Sequence, residues 1–269
     1  MKGYAAVSRQ GVRAFASRPV FVAGGSSGLG KEDFQVTGSS RGAHVTIFAR
    51  RQETLDEARN EILAARQDTK QDVNAVSLDL GKPHELDAAF RSQARIPDVL
   101  YCVAGGTSTE IGFMTDIDAG KLESCMRNNY FTAAYAAQSM LKIWTEDDKN
   151  AERLSPRLRQ IAFINSAAAF LGLPGYAAYT SSKCAVRGLT DTLRMEALRL
   201  SSPATTYTIH CAFPSTFISP AFLEEQKSKP ELTKRMEDTM GSMADLEQRF
   251  PVARGIIAGC GERRVCALR

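Results

Sequence analysis

Tyr179 and Lys183 stand four residues apart, a spacing that places two side chains on one face of a helix. A phenol has an ordinary pKa of about 10 and is a poor acid or base at neutral pH, but an adjacent ammonium favours the phenolate and lowers that pKa. The spacing therefore predicts a proton-transfer pair. Taken alone, the two residues also fit an ordinary solvated helix face, and that alternative stays open at this point.

Two further features accompany the pair. Ser166 ends an apolar run, residues 161–165, that has the length of a strand. Near the start of the chain, the apolar run 20–23 leads into the glycine-rich segment 24–30. Glycines let the backbone approach a phosphate, and the amides of a following helix start supply donors for a pyrophosphate. The structural alternatives are a serine that only caps a strand and a tight turn that binds no nucleotide.

The chain alternates strand-length apolar runs with helical stretches, which predicts a parallel α/β sheet with right-handed crossovers. The predicted strands are 20–23, 45–49, 73–78, 99–103, 161–165 and 207–212. The predicted helices include 55–65, 122–141 and 184–200. A length of 269 residues suits one such domain.

Composition narrows the classes of function. Hydrophobic residues make up 43% of the chain and charged residues 24%, which indicates a globular protein. The net charge is +4 with both signs interleaved, so the clustered basic face that a nucleic-acid partner requires is missing. No His or Cys spacing predicts a metal site, and the cysteines are interpreted as core thiols. No run of 18 apolar residues predicts a membrane span.

The glycine-rich segment 24–30, Asn129, Ser166, Tyr179 and Lys183 together resemble the short-chain dehydrogenase/reductase family, in register from about residue 19 to 222. The resemblance implies a Rossmann-like, doubly wound parallel sheet in a single domain, with strand order 3-2-1-4-5-6-7 and the ligand beyond the carboxyl ends of the strands. It implies that Ser166 and Tyr179 bind the substrate carbonyl oxygen and that Tyr179 donates the proton. Lys183 is assigned to the phenol pKa and to the nicotinamide ribose, and Asn129 to a water that links the lysine to solvent. In the family the two long helices also form a dimer interface, so a homo-oligomer is expected.

The same resemblance identifies the residues that would bind a cofactor. Where an acidic residue would bind the ribose of NAD, Ala49 is followed by Arg50 and Arg51, which leaves space and positive charge for the 2′-phosphate of NADPH. Two solvated arginines are the structural alternative. Asp79 and Leu80 resemble the pair that contacts adenine, and segment 214–219 resembles the part that contacts the nicotinamide carboxamide. The full expected set is Gly24, Ser26, Ser27, Gly28, Leu29, Gly30, Arg50, Arg51, Asp79, Leu80, Ala104, Gly105, Tyr179, Lys183, Pro214, Phe217 and Ser219.

A finer resemblance, to fungal 3-ketodihydrosphingosine reductases within that family, is carried by four segments: 48–52, 97–106, 128–135 and 211–220. It implies NADPH-dependent reduction of a sphingoid-base ketone at the cytosolic face of the endoplasmic reticulum. The alternatives are a reductase of another hydrophobic ketone, such as a 3-oxoacyl thioester or a steroid, and a non-catalytic binding protein. Segment 222–257 resembles the family's substrate lid, and its candidate apolar lining is Phe217, Ile218, Phe222, Leu223 and Leu232.

Three segments need separate comment. Residues 31–41 should form the first helix but contain Gly38, Ser39 and Ser40, which are poor helix residues. Family members usually continue beyond the point reached by Arg269, with a last strand and often a hydrophobic tail. Residues 1–19 carry four basic residues and no acid, and are expected to be an extension to the NADP-binding domain 20–269. This extension fits a short basic tail, an arm that makes peripheral contact with an anionic membrane, or a mitochondrial presequence, so cytoplasmic and mitochondrial locations are alternatives.

Overall fold

The computed structural model describes residues 18–26, 42–107, 109–150, 156–214 and 220–240. The strands in these ranges are β1 (Pro19–Ala23), β2 (His44–Ala49), β3 (Val73–Ser77), β4 (Val99–Cys102), β5 (Arg157–Ile164) and β6 (Thr205–Ala212). They form one parallel sheet in the order β3-β2-β1-β4-β5-β6. The predicted parallel sheet is confirmed. From β1 the chain adds β2 and β3 on one side, and it then crosses over to add β4, β5 and β6 on the other side. In doubly wound folds, ligands bind at this switch point between β1 and β4. Within the described residues the sheet has six strands, and the seventh strand of the expected order stays a prediction.

Helices cover the sheet between the strands. Their bounds are α1 (Gln52–Ala64), α2 (Pro83–Arg91), α3 (Ala119–Met126), α4 (Thr132–Asn150), α5 (Ala177–Leu200), α6 (Pro220–Ser228) and α7 (Glu231–Met240). A π-helical turn, Arg127–Phe131, joins α3 to α4 and divides the helix that was predicted at 122–141. Because α5 begins at Ala177, earlier than predicted, Tyr179 and Lys183 both lie in its first turns. The expected first helix, 31–41, lies outside the described residues.

The two faces of the sheet are packed by different helices, as the alternation of side chains along each strand requires. One face buries Ala133 and Ala137 of α4 and Val186 and Leu193 of α5. The other face receives the apolar side of α1. Three described cysteines are buried, whereas Cys184 is exposed, so its interpretation as a core thiol is wrong. Among the described helices, none is both long enough and apolar enough to cross a bilayer.

The beginning of β5 differs from the prediction, because the strand starts at Arg157 rather than with the apolar run at 161. The guanidinium of Arg159 is fully buried, lies 5.5 Å from the Trp144 ring centre, and pairs with Asp147 and Asp148 near the end of α4. Burial of a charge is tolerated when it is paired in this way. The first residues of β5 are therefore polar residues that are buried as ion pairs, and the apolar pattern from 161 onwards does not predict them.

Candidate active site

The turns that follow β1 and β4 meet at the reversal point of the sheet. Gly24 has a φ of +104°, and a Cβ at this position would lie 2.3 Å from the Ala104 nitrogen, so only glycine fits. Gly106 has a φ of +130°, and a Cβ there would meet open space. Ala104 and Gly105 thus belong to a backbone edge with few side chains, as close approach of a dinucleotide requires.

Ser166 and Tyr179 come together beyond the end of β5. The Ser166 Oγ accepts a hydrogen bond of 3.1 Å from the Ala168 amide, which caps the short 3₁₀ turn Ala167–Ala169. The same hydroxyl interacts with that of Tyr179 and favours the ionised phenol. Burial acts in the opposite direction and is the larger effect, so it raises the pKa of Tyr179 to about 12. Ser166 is therefore both a structural cap and a partner of the tyrosine, and Tyr179 is protonated at neutral pH.

Lys183 is buried one helical turn beyond Tyr179. Its Nζ lies 5.5 Å from the centre of the Tyr179 ring and donates a hydrogen bond of 3.3 Å to the Ile164 carbonyl oxygen. Burial lowers the pKa of Lys183 to about 8. The expectation that Lys183 brings the phenol pKa down towards neutrality is wrong for this structure, because desolvation of the phenolate is the dominant effect on Tyr179.

Asn129 lies in the π-helical turn, 1% exposed, and holds the turn after β4. Its Oδ1 accepts a hydrogen bond of 2.8 Å from the Gly106 amide, and its Nδ2 donates to the Gly106 carbonyl at 2.9 Å and to the Cys125 carbonyl at 3.0 Å. A Cβ on Gly105 would lie 2.5 Å from the Asn129 Oδ1. The side chain therefore fixes the backbone edge described above, and its role in a water relay stays a prediction.

Four further predicted cofactor residues follow β2 and β3 at the carboxyl edge of the sheet. Arg50 and Arg51 follow β2 and are exposed, and within the described part of the chain neither guanidinium forms an ion pair. Two exposed cations at this position leave positive charge at the edge of the sheet where a dinucleotide would bind. Asp79 accepts a hydrogen bond of 2.9 Å from the Gly81 amide, and Leu80 packs in the core. Contact of this pair with adenine stays a prediction.

Other predicted contacts fall at or beyond the limits of the described ranges. Pro214 is buried, and its carbonyl accepts a hydrogen bond of 3.0 Å from the Ala167 amide next to Ser166. Ser26 is described and half-buried in the turn after β1. Six predicted residues lie outside the described residues: Ser27, Gly28, Leu29, Gly30, Phe217 and Ser219.

Sequence reasoning missed a second layer of residues around Tyr179. The Tyr176 ring makes an edge contact with the Tyr179 ring, with 6.4 Å between centres, and its hydroxyl donates to the Glu225 carboxylate. Glu225 in turn pairs with the buried Lys229 at 3.4 Å. The only signal in the sequence was a second tyrosine near Tyr179, because the partners come from the distant lid segment.

The fold and the site define a class. A serine, a tyrosine and a lysine meet beyond the carboxyl ends of a doubly wound sheet, in the arrangement of an oxidoreductase that moves a proton on or off a carbonyl oxygen. The chain belongs to the short chain dehydrogenase family, whose sequence profile matches residues 18–225. Membership of this family implies a nicotinamide cofactor, which the glycine edge and the unpaired arginines fit.

Named relatives and solved structures agree with this assignment. The chain is 34% identical over 259 residues to a protein of Aspergillus fumigatus named 3-ketodihydrosphingosine reductase ksrA, covering 90% of this chain and 68% of the relative. It is 31% identical over 225 residues to a Danio rerio protein named 3-dehydrosphinganine reductase, covering 82% of this chain and 63% of the relative. The crystal structure of levodione reductase is 18% identical, with a TM-score of 0.73 and 92% of each chain covered. That structure supports the fold alone.

Proposed function

We propose that this chain catalyses the NADPH-dependent reduction of 3-ketodihydrosphingosine to dihydrosphingosine in sphingolipid synthesis. The observation that carries the proposal is the Tyr179 hydroxyl, which interacts with the Ser166 hydroxyl and is protonated at neutral pH, with the buried Lys183 ammonium 5.5 Å from its ring centre. This is the state that a proton donor to a ketone requires. The names of the relatives from Aspergillus fumigatus and Danio rerio support the substrate.

In the proposed mechanism, a bound NADPH supplies the hydride that is added to the ketone carbon. Ser166 and Tyr179 donate hydrogen bonds to the carbonyl oxygen as negative charge develops on it. Tyr179 then transfers its proton to that oxygen, which completes the alcohol. The ammonium of Lys183 and the Ser166 hydroxyl stabilise the phenolate that remains until a proton returns from solvent.

The residues of this chain that would hold NADPH lie on one edge of the sheet. The turns around Gly24 and Gly106 would receive the pyrophosphate and the nicotinamide half, and Lys183 would bind the nicotinamide ribose. Arg50 and Arg51 would bind the 2′-phosphate. Asn129 supports the Gly106 side of this cradle through its two hydrogen bonds to that residue.

The choice of cofactor can be tested by reversing the charge after β2. We expect Ala49→Asp combined with Arg50→Gln to lower the ratio of NADPH to NADH efficiency by about tenfold or more, because the double variant loses a charge-assisted bond to the 2′-phosphate and gains an acceptor for ribose hydroxyls. The measurement is kcat/KM with each cofactor. Arg66→Gln, which neutralises an exposed arginine just beyond α1, is the matched control. An unchanged ratio in the double variant would refute the role of the arginines.

The lipid tail of the substrate needs an apolar path. Of the residues predicted to line the lid, Leu223 and Leu232 are each about half exposed on α6 and α7, and they are proposed to contact the alkyl chain. Phe222 is 8% exposed and lies with its ring 5.0 Å from the Lys229 ammonium, so it belongs to the interior of this segment. Phe217 and Ile218 lie outside the described residues.

The substrate assignment is tested by oxidation of NADPH in the presence of different ketones. We expect kcat/KM for dispersed 3-ketodihydrosphingosine to exceed that for a 3-oxoacyl thioester and for a ketosteroid. If kcat/KM for either alternative ketone is equal or higher, the substrate assignment is wrong, and the protein is a short-chain reductase of a different hydrophobic ketone. No oxidation with any ketone, in protein shown to be folded, would favour a non-catalytic binding protein.

Assembly and location are also proposals. The family resemblance supports a homo-oligomer. Met195 and Leu198 on α5, and Phe131 at the end of the π-helical turn before α4, are exposed apolar side chains of the region that would form its interface. A lipid substrate supports peripheral contact with the cytosolic face of the endoplasmic reticulum. The basic extension ahead of β1 is the proposed contact, since each cation near an anionic surface contributes about 1 kcal/mol.

Deletion of residues 2–17 should reduce sedimentation with anionic vesicles and should leave turnover of detergent-dispersed substrate nearly unchanged. The deletion stops before Arg18 because that guanidinium donates a hydrogen bond of 2.6 Å to the Leu158 carbonyl and therefore belongs to the fold. Binding by the full chain should weaken as salt rises. Equal sedimentation of the truncated and full-length proteins would refute the role of the extension.

A further inference from the structure

The turn that leads into α5 is held by a segment far away in the sequence. The Thr233 hydroxyl donates a hydrogen bond of 2.6 Å to the Pro174 carbonyl. Gly175 has a φ of +81°, and a Cβ there would lie 2.7 Å from the Pro230 side chain. The start of the helix that carries Tyr179 is thus packed directly against residues 230–233.

Lys229 is the centre of the contacts between these segments. Its side chain is 0% exposed, and its Nζ lies 2.7 Å from a Glu237 oxygen and 3.4 Å from a Glu225 oxygen. The same ammonium lies 5.6 Å from the ring centre of Tyr176 and 5.0 Å from that of Phe222. One buried cation therefore joins α6, α7 and Tyr176, the residue immediately before α5.

Such a cluster is costly to bury, and apolar side chains of similar volume often replace a buried ion pair without loss of stability. An ion pair does, however, fix direction and distance more strictly than an apolar contact. Here the directed chain ends at the reacting group: Lys229 pairs with Glu225, Glu225 accepts the Tyr176 hydroxyl, and the Tyr176 ring rests against Tyr179. The Glu225 charge also raises the pKa of Tyr179, so an unbalanced carboxylate at this position would affect the proton donor.

We propose that Lys229 is a positioning residue for the reaction: it orients Tyr176, and through it Tyr179, and it balances the charge of Glu225 beside the proton donor. The catalytic part of this inference rests on the proposed reductase function. The structural part, that Lys229 orders the first turn of α5, does not depend on that function.

The structural part is tested by hydrogen exchange in the absence of cofactor and substrate. Lys229→Met removes the charge and keeps most of the stem, and we expect faster amide exchange in the peptide that covers residues 174–180. Lys227→Met is the matched control, because Lys227 lies on α6, is exposed and, among the described residues, forms an ion pair with Glu224 alone. Lys229→Arg keeps the charge and should retain most of the protection.

The catalytic part is tested by separating kcat from cofactor affinity. We expect Lys229→Met to lower kcat for ketone reduction about tenfold, because a displaced donor loses alignment with the carbonyl oxygen, while the Kd for NADPH stays unchanged. Adding Glu225→Gln to Lys229→Met removes the unbalanced carboxylate and keeps an oxygen that accepts the Tyr176 hydroxyl. This double variant should recover part of both the exchange protection and kcat.

The results separate the two proposals. Unchanged exchange at 174–180 in Lys229→Met, or an equal change in Lys227→Met, would overturn the positioning role. A double variant as impaired as Lys229→Met would overturn charge balance as its basis. If Lys229→Met does not fold, Tyr176→Phe, which deletes only the hydroxyl, carries the same prediction of a lower kcat with unchanged NADPH affinity. If the parent protein reduces no ketone, the proposed function fails while the exchange result still decides the positioning claim.

Discussion

Replacing Tyr179 with phenylalanine is expected to lower the rate of ketone reduction by about 100-fold or more while the affinity for NADPH changes little. The variant loses the hydroxyl that donates the proton and keeps the ring that faces Lys183. Because Ser166 and the ring remain, the pocket should keep its shape. The measurement is single-turnover oxidation of NADPH, together with a separate titration of cofactor binding.

Tyr135→Phe is the control for removal of a tyrosine hydroxyl, since Tyr135 is half-buried on α4 and packs its ring on Phe131 at 5.5 Å between centres. This control should reduce the ketone at nearly the parental rate. A Tyr179→Phe protein that is as active as the parent would contradict the proton-donor assignment. Equal losses in both variants would point to a general effect on folding.

Lys183→Met is expected to impair both steps, with a large fall in the rate of reduction and weaker NADPH binding. The variant removes the cation that stabilises the phenolate and the donor assigned to the nicotinamide ribose, and it leaves a chain of similar volume in a buried site. Lys227→Met supplies the control for the same substitution at an exposed position. Loss of binding without loss of rate, or the reverse, would restrict Lys183 to one of its two roles.

The pH dependence of reduction follows from the same pair of residues. Burial lowers the pKa of Lys183 to about 8, so its charge is present below that pH and is lost as the pH rises through it. Burial raises the pKa of Tyr179 to about 12, so the phenol stays protonated over this range. The reduction rate should therefore decline above about pH 8. In Lys183→Met this decline should be absent from the residual activity.

Local patterns in the sequence were sufficient for the main architecture. Apolar runs located the strands, and the spacing of Tyr179 and Lys183 indicated a shared helix face before any neighbour was known. The glycines at 24 and 105 show why: a Cβ would lie 2.3 Å from the Ala104 nitrogen at the first position and 2.5 Å from the Asn129 Oδ1 at the second, so the residue type itself records the contact. These features can be predicted because they depend on residues that are close in sequence, or on positions where any side chain would clash.

What the sequence did not reveal depends on contacts between distant segments. The Tyr176 hydroxyl and the Glu225 carboxylate are 49 residues apart in sequence, and nothing in the local pattern links them. The pKa of Tyr179 was predicted in the wrong direction because the spacing shows the nearby lysine but not the burial that desolvates the phenolate. The sequence also did not reveal that the Asn129 amide, in a π-helical turn that no helical period predicts, holds the Gly106 backbone. Its assignment to a water stays a prediction.

The most direct test of the central claim is the product formed from 3-ketodihydrosphingosine and NADPH that carries deuterium at the transferable position of its nicotinamide. The account predicts dihydrosphingosine with a single deuterium on the carbon that bore the ketone, detected by mass spectrometry. The parent protein should form this product and Tyr179→Phe should form almost none. Absence of labelled dihydrosphingosine from the folded parent protein, or equal formation by Tyr179→Phe, would contradict the account.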